Sequence, residues 1–231
     1  MISTLHGSIM LENGSIYNPC DNTKIKGTVL IQNGVIKEVG KCKPPKNVKR
    51  INCMGKIVAP GLIDIHAHFR EPGREDKETL NTGAMAAFAG GFTRVCVMPN
   101  TNPPLDTPES IRYIVEKAAE IPIQIFPIGA ITKGQVGTEL AEIGEMVQAG
   151  AVAISDDGFP VQNGQVMRYA VEYAKRFKIP VINHAEDIQL RNEGVMNESA
   201  LSTQLGLPGN PDISESVMVH RDLEIAEFTN G

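Results

Sequence analysis

The chain has 231 residues, 42% of them hydrophobic and 21% charged, with a formal net charge of -5. That composition gives enough apolar material for a sizeable core and excludes a disordered chain. The acidic balance and the absence of long Lys/Arg runs exclude nucleic acid as the expected partner and favour a small molecule.

Residues 1–11 are polar and lack the apolar stretch and small-residue cleavage site of a secretory signal. No segment approaches the roughly 18 to 20 apolar residues of a membrane span, so no membrane association is expected. Cys20, Cys42, Cys53 and Cys96 are widely spaced with no C-x-x-C pair, and read as reduced thiols of a cytoplasmic protein rather than as ligands.

Two Asn-Gly pairs, Asn13-Gly14 and Asn33-Gly34, sit between alternating apolar runs. The second divides Val29-Leu30-Ile31 from Val35-Ile36-Lys37-Glu38-Val39, a β-hairpin signal. Residues 1–56 therefore read as a strand-rich unit, a small β-sandwich portion closed by the Pro- and Lys-rich stretch 41–50.

From residue 57 onward short apolar runs alternate with amphipathic segments, the pattern of βα units and a parallel sheet. Strands are expected over 57–66, 94–98, 124–129, 151–155 and 180–184. Between and after them, helices are expected over 78–89, ending at Gly90-Gly91; from the Thr107 cap and Pro108 to about residue 119; and over 138–148, 164–177 and 214–229.

Five units are visible, whereas a (β/α)8 barrel has eight over about 250 residues. An open doubly wound sheet would suit the length. The candidate ligands, however, fall at the C-terminal ends of the first strand and of later ones, where a barrel forms its mouth. The expected fold is α/β: a (β/α)8 TIM-type barrel of which about five units are present over 57–231.

His66 and His68 are one residue apart at the end of an apolar strand, so both side chains point to one face and could share a cation. His184 ends the fifth strand; alone, it would fit a core histidine equally well. Asp156-Asp157-Gly158 ends the fourth strand, and one carboxylate there could serve two divalent ions about 3.5 to 4 Å apart. On that stretch alone a capping turn is the stronger reading. Arg70, two residues past His68, offers a guanidinium fork for a substrate carboxylate, and Asn100 could hydrogen-bond the same substrate. A surface ion pair and a turn asparagine are the bland readings of those two. His6 and His220 have no partner at ligand spacing and read as structural or solvent-facing.

Gly61-Leu62-Ile63-Asp64-Ile65-His66-Ala67-His68-Phe69-Arg70-Glu71-Pro72-Gly73 resembles the metal-binding opening of class I dihydroorotases of the amidohydrolase superfamily. Gly90-Gly91-Phe92-Thr93, Met98-Pro99-Asn100-Thr101-Asn102-Pro103-Pro104, Asp156-Asp157-Gly158 and Asn183-His184-Ala185-Glu186-Asp187 match that family in order and spacing. The resemblance implies a reversible, zinc-dependent closure of N-carbamoyl-L-aspartate to L-dihydroorotate in pyrimidine synthesis, with two Zn2+ ions. It implies that His66 and His68 bind one zinc, that His184 binds the second, that Asp157 lies between them, and that Arg70 and Asn100 hold the substrate carboxylate. It also implies a homodimer or an association with aspartate carbamoyltransferase.

Hydantoinases and allantoinases resemble one another in a carboxylated lysine on the fourth strand. Ala151-Val152-Ala153-Ile154-Ser155 offers no lysine, which points toward the aspartate-using dihydroorotases. The family's proton-transfer aspartate and a further metal-binding histidine are expected beyond Gly231, so no catalytic acid/base is assigned here. The isolated chain is accordingly expected to be a truncated barrel with little or no activity. A hydantoinase- or allantoinase-like enzyme and a non-catalytic scaffold are the alternatives.

Overall fold

The computed structural model describes residues 7–231. The reading of His6, and most of that of residues 1–11, lie outside the described residues. By internal contacts the chain divides into two compact units, Met1–Leu62 and Ile63–Gly231, so the division read from the sequence at residue 56 falls earlier than this one.

The first unit is a five-stranded mixed sheet built from β1 (Ser8–Asn18), β2 (Thr23–Gln32), β3 (Val35–Gly40), β4 (Lys49–Asn52) and β5 (Ile57–Val58). Its order is β3-β2-β1-β4, with β5 also pairing β1. Asn33-Gly34 makes the expected hairpin turn: φ is 50° and 77°, the two left-handed residues a type I′ turn requires. Asn13-Gly14 is no turn. It lies inside β1, where the register to β2 shifts between Leu11 and Gly14, and left-handed Asn13 (φ 63°) absorbs the extra residue as a bulge. Met10, Ile16, Val29, Leu30 and Cys53 are its buried side chains.

The strand expected over 57–66 is two strands. Pro60-Gly61 interrupts it, leaving β5 on the first sheet and starting β6 (Leu62–Ala67) afresh. From there β6, α1 (Leu80–Ala89), β7 (Phe92–Val97), α2 (Pro108–Ala118), β8 (Gln124–Gly129), α3 (Ile143–Ala149), β9 (Ala153–Ser155), α4 (Gly164–Phe177) and β10 (Val181–Ile182) alternate. The sheet order is β10-β9-β8-β7-β6, and β7 through β10 pair in parallel. Consecutive parallel strands, each followed by a helix, are the topology of half a (β/α)8 barrel.

The helices form where the sequence caps them. Thr79 and Thr107 each accept from the third helical N–H of α1 and α2, and Asn163 caps α4. Leu80 and Ala84 of α1, Ile111 and Ile114 of α2, Ile143 and Met146 of α3, and Met167, Ala170 and Ala174 of α4 are buried at helical spacing. They pack with Val95, Val97, Ile125 and Ile154 from the strands.

The helix expected over 138–148 starts later, at Ile143. Residues 139–141 are instead drawn back against the preceding loop, where Lys133 N–H donates to Glu139 O (2.9 Å) and Ala141 N–H to Ile131 O (2.9 Å). After β10 come short pieces with no periodic signal: α5 (Ile188–Arg191), β11 (Met196–Asn197), α6 (Ala200–Leu205) and β12 (Gly209–Asn210). The last helix, α7 (Ile213–Thr229), follows. No described helix is long and apolar enough to cross a membrane.

Candidate metal centre and cationic cleft

Three strand ends converge. His66 lies in β6 and His68 just past it, on the same face because side chains of an extended chain alternate. Asp157 stands two residues beyond β9, its backbone N–H donating to Ser155 Oγ (3.0 Å). His184 stands two residues beyond β10.

The Asp157 carboxylate is divided among the three rings. Its Oδ2 lies 3.4 Å from His66 Nε2 and 3.3 Å from His68 Nε2, while its Oδ1 lies 3.4 Å from His184 Nδ1. One ligand atom from each of His66, His68 and Asp157 falls within 4.8 Å of the others. The carboxylate is 8% exposed and the rings 29 to 43%, so the site is walled on the protein side and open on the other. Imidazole nitrogens around one largely buried carboxylate are a donor set that suits a divalent ion of the zinc type.

The orientation of His68 supports that fit. Its Nδ1 lies 2.8 Å from Asn100 Oδ1. An amide oxygen only accepts, so Nδ1 is the donor of this pair, which leaves Nε2, the atom facing Asp157, as the nitrogen that would ligate a metal.

Asp156 does a different job from its neighbour. It is fully buried and accepts from Ile131 N–H (2.8 Å), Thr132 N–H (3.1 Å) and the Thr132 hydroxyl. Burial pushes its carboxyl above the ordinary range despite those donors. The structural role that Asp-Asp-Gly suggested thus falls to Asp156, and Asp157 faces the histidines.

Arg70 (φ 60°) and Asn100 meet in a second hollow of about 360 Å³. The charged side chains lining it, Arg70, Arg74 and Lys77, are all cationic, with Asn100, Gly158 and Phe159 among the others. Arg74 is engaged with Asp76 (3.0 Å). Gly158 (φ 81°) adopts a backbone that favours glycine, and a Cβ there would sit 3.4 Å from Asn100 Nδ2.

Sequence reasoning missed the far wall. A cavity of about 550 Å³ is lined by His66, Asp157 and His184 together with Glu186, Asn210 and Ser214. Glu186 Oε2 lies 3.9 Å from His184 Nε2, and its Oε1 accepts from Asn210 Nδ2 (3.2 Å), whose own Oδ1 accepts from the Ser214 hydroxyl (2.7 Å). Glu186 stood in a motif already singled out. Asn210 lay in a stretch without periodicity. His220 is exposed on α7, 4.0 Å from Glu224.

A profile of the family described as "Dihydro-orotase-like" matches residues 55–230. Curated relatives include a dihydroorotase of Pelobacter propionicus, 44% identical over 225 residues, and one of Geotalea daltonii, 49% identical over 225 residues; each match covers 96% of this chain and 53% of the relative. The chain thus spans about half the length of the curated relatives it matches. Among solved structures, an L-hydantoinase (dihydropyrimidinase) from Arthrobacter aurescens superposes with a TM-score of 0.73 at 17% identity, covering 96% of this chain and 51% of that one. A D-hydantoinase from Thermus sp. gives 0.74 at 21% identity, with 96% and 50% covered. At those identities the structural likeness concerns the fold alone.

Proposed function

This chain belongs to the dihydro-orotase-like family, and from that premise we propose that it serves a dihydroorotase, interconverting N-carbamoyl-L-aspartate and L-dihydroorotate in pyrimidine synthesis. The observation that carries the reading is the divided Asp157 carboxylate, with one oxygen toward His66 and His68 and the other toward His184. In this reading His66 and His68 would hold one zinc ion, His184 would hold a second, and Asp157 would be a ligand available to either. Zinc, when bound, supplies Lewis acidity toward the amide carbonyl of the ring.

The chain's own residues bind and orient. The Arg70 guanidinium is a planar fork matched to a carboxylate, and the cationic lining of its cleft selects an anionic ring substituent. Asn100 keeps the His68 proton on Nδ1 and thereby fixes the ring that faces Asp157. No acid/base for the ring nitrogen is assigned among the described residues. The reading also keeps a cytoplasmic protein, residues 1–56 as a β-sandwich portion, and a second copy or aspartate carbamoyltransferase as partner.

Calorimetric titration of the zinc-loaded protein with L-dihydroorotate, hydantoin and allantoin tests the reading. Dihydroorotate is expected to bind most tightly because it alone carries a ring carboxylate. Tighter binding of hydantoin or allantoin would overturn the assignment.

A further inference from the structure

Among the described residues, Arg70 is one of three with positive φ that are neither glycine nor asparagine. Such a backbone is unfavourable for a residue with a Cβ, so the surrounding structure must hold it. Lys178, another of the three, caps α4, where the left-handed conformation is routine. Arg70 ends no helix. It sits at the centre of a three-residue turn closed by Glu71 N–H donating to Phe69 O (2.7 Å), a γ-turn in its rarer, positive-φ form.

The residue that closes this turn is itself firmly anchored. The Glu71 side chain is 1% exposed. Its Oε2 accepts from Leu80 N–H in the first turn of α1 (2.7 Å), and its Oε1 accepts from the Tyr113 hydroxyl (3.0 Å) and from Lys117 Nζ, both on α2. Glu71 does not line the cleft that Arg70 lines. Its shortest route there is through its neighbour in the chain, Arg70, whose turn it closes.

We propose that Glu71 is a positioning residue for Arg70: a buried carboxylate, pinned to α1 and α2, holds the γ-turn that keeps the Arg70 guanidinium in the cationic cleft beside Asn100. The inference rests on reading Arg70 as the binder of a ring carboxylate. Its consequence is specific. Loosening Glu71 should weaken recognition of the carboxylate and leave recognition of the ring itself unchanged.

The test compares L-dihydroorotate with 5,6-dihydrouracil, the same ring without its carboxylate, as ligands of the zinc-loaded protein in ligand-detected NMR titrations. Glu71→Gln keeps the shape and removes the charge opposite Lys117. It is expected to weaken dihydroorotate binding about tenfold, the scale of one charge-assisted contact, with dihydrouracil binding and zinc content unchanged. Tyr113→Phe, which removes one anchor and leaves the carboxylate paired, is expected to act in the same direction by about threefold; it carries the test if Glu71→Gln fails to fold. Equal losses for both ligands, or a lower melting temperature with dihydroorotate affinity intact, would make Glu71 a structural residue only and overturn the proposal. A wild-type protein that binds the two rings equally would instead remove the carboxylate-binding reading of Arg70, and this inference with it.

Discussion

The Nδ1 of His68 lies 2.8 Å from the side-chain oxygen of Asn100, which links the end of β6 to the loop after β7. One asparagine therefore touches both halves of the site: its oxygen orients a histidine that faces Asp157, and its residue lines the cationic cleft with Arg70. On the proposed reading, ligand binding in the cleft and metal affinity should be coupled through that side chain.

Replacing Asn100 with alanine is accordingly expected to weaken metal binding as well as ligand binding. Removing the partner of a ligating histidine costs about 10- to 100-fold in metal affinity. Competition with a chromogenic chelator measures this directly. Unchanged zinc affinity in Asn100→Ala would mean that packing alone fixes the His68 ring.

The division of Asp157 between its neighbours makes a prediction about stoichiometry. His66 and His68 face Oδ2 while His184 faces Oδ1, so the two sides should be separable by mutation. His184→Ala is expected to lose one metal equivalent and keep the other, whereas Asp157→Ala, which removes the group common to both sides, should deplete both. Metal analysis by plasma mass spectrometry after gel filtration reads the result. Full metal content in His184→Ala would show that the Oδ1 side holds no ion.

Parts of this site were legible in the sequence because they follow local rules. His66 and His68 share a face by strand alternation, and β8 and α4 occupy the expected residues because Gln124–Gly129 is a short apolar run and Asn163 supplies a cap. Choosing Asp157 over Asp156 needed the family resemblance, since nothing local distinguishes adjacent aspartates; in space, burial and the 131–132 backbone claim Asp156. The late start of α3 was not legible, because it depends on residues 139–141 bonding back to 131–133 across the loop. Asn210 was missed because its role depends on contacts with Glu186 and Ser214, and β11 and β12 carry only two residues each.

Gly73 offers a test of how tightly the turn after Arg70 is packed. Its φ is +88°, and a Cβ there would lie 1.7 Å from the Asn102 carbonyl oxygen, a backbone atom that cannot swing aside. Gly73→Ala should cost about 1 to 3 kcal/mol from the backbone conformation alone, with the overlap adding to it. At about 2 to 4 °C per kcal/mol for a chain of this size, the melting temperature should fall by several degrees. Gly34, with φ +77° and nothing within 4 Å of an added Cβ, is the control. Gly34→Ala should lose less. Equal losses at the two sites would show that the Asn102 contact yields easily.

The ion pair of Glu71 with Lys117 gives the fold a pH dependence with a defined sign. Burial works to raise the Glu71 carboxyl, but Lys117, the Leu80 N–H and the Tyr113 hydroxyl outweigh it and hold it below its ordinary value of 4.5. The native state therefore binds fewer protons at this site than the unfolded chain does between the two values. Its stabilisation is complete above the unfolded value and is lost as pH falls through the lower, folded one. Lys117 is shifted upward, first by its hydrogen bond to Glu71, so its share is complete below the unfolded value of 10.5 and is lost as pH rises through the folded one. Melting curves of wild type and Glu71→Gln from pH 3 to 11 should thus differ most near neutrality, with the gap closing below about pH 4.5 and again at the alkaline end. A gap that stays constant through the acid range would mean that Glu71 does not stabilise the fold as a carboxylate.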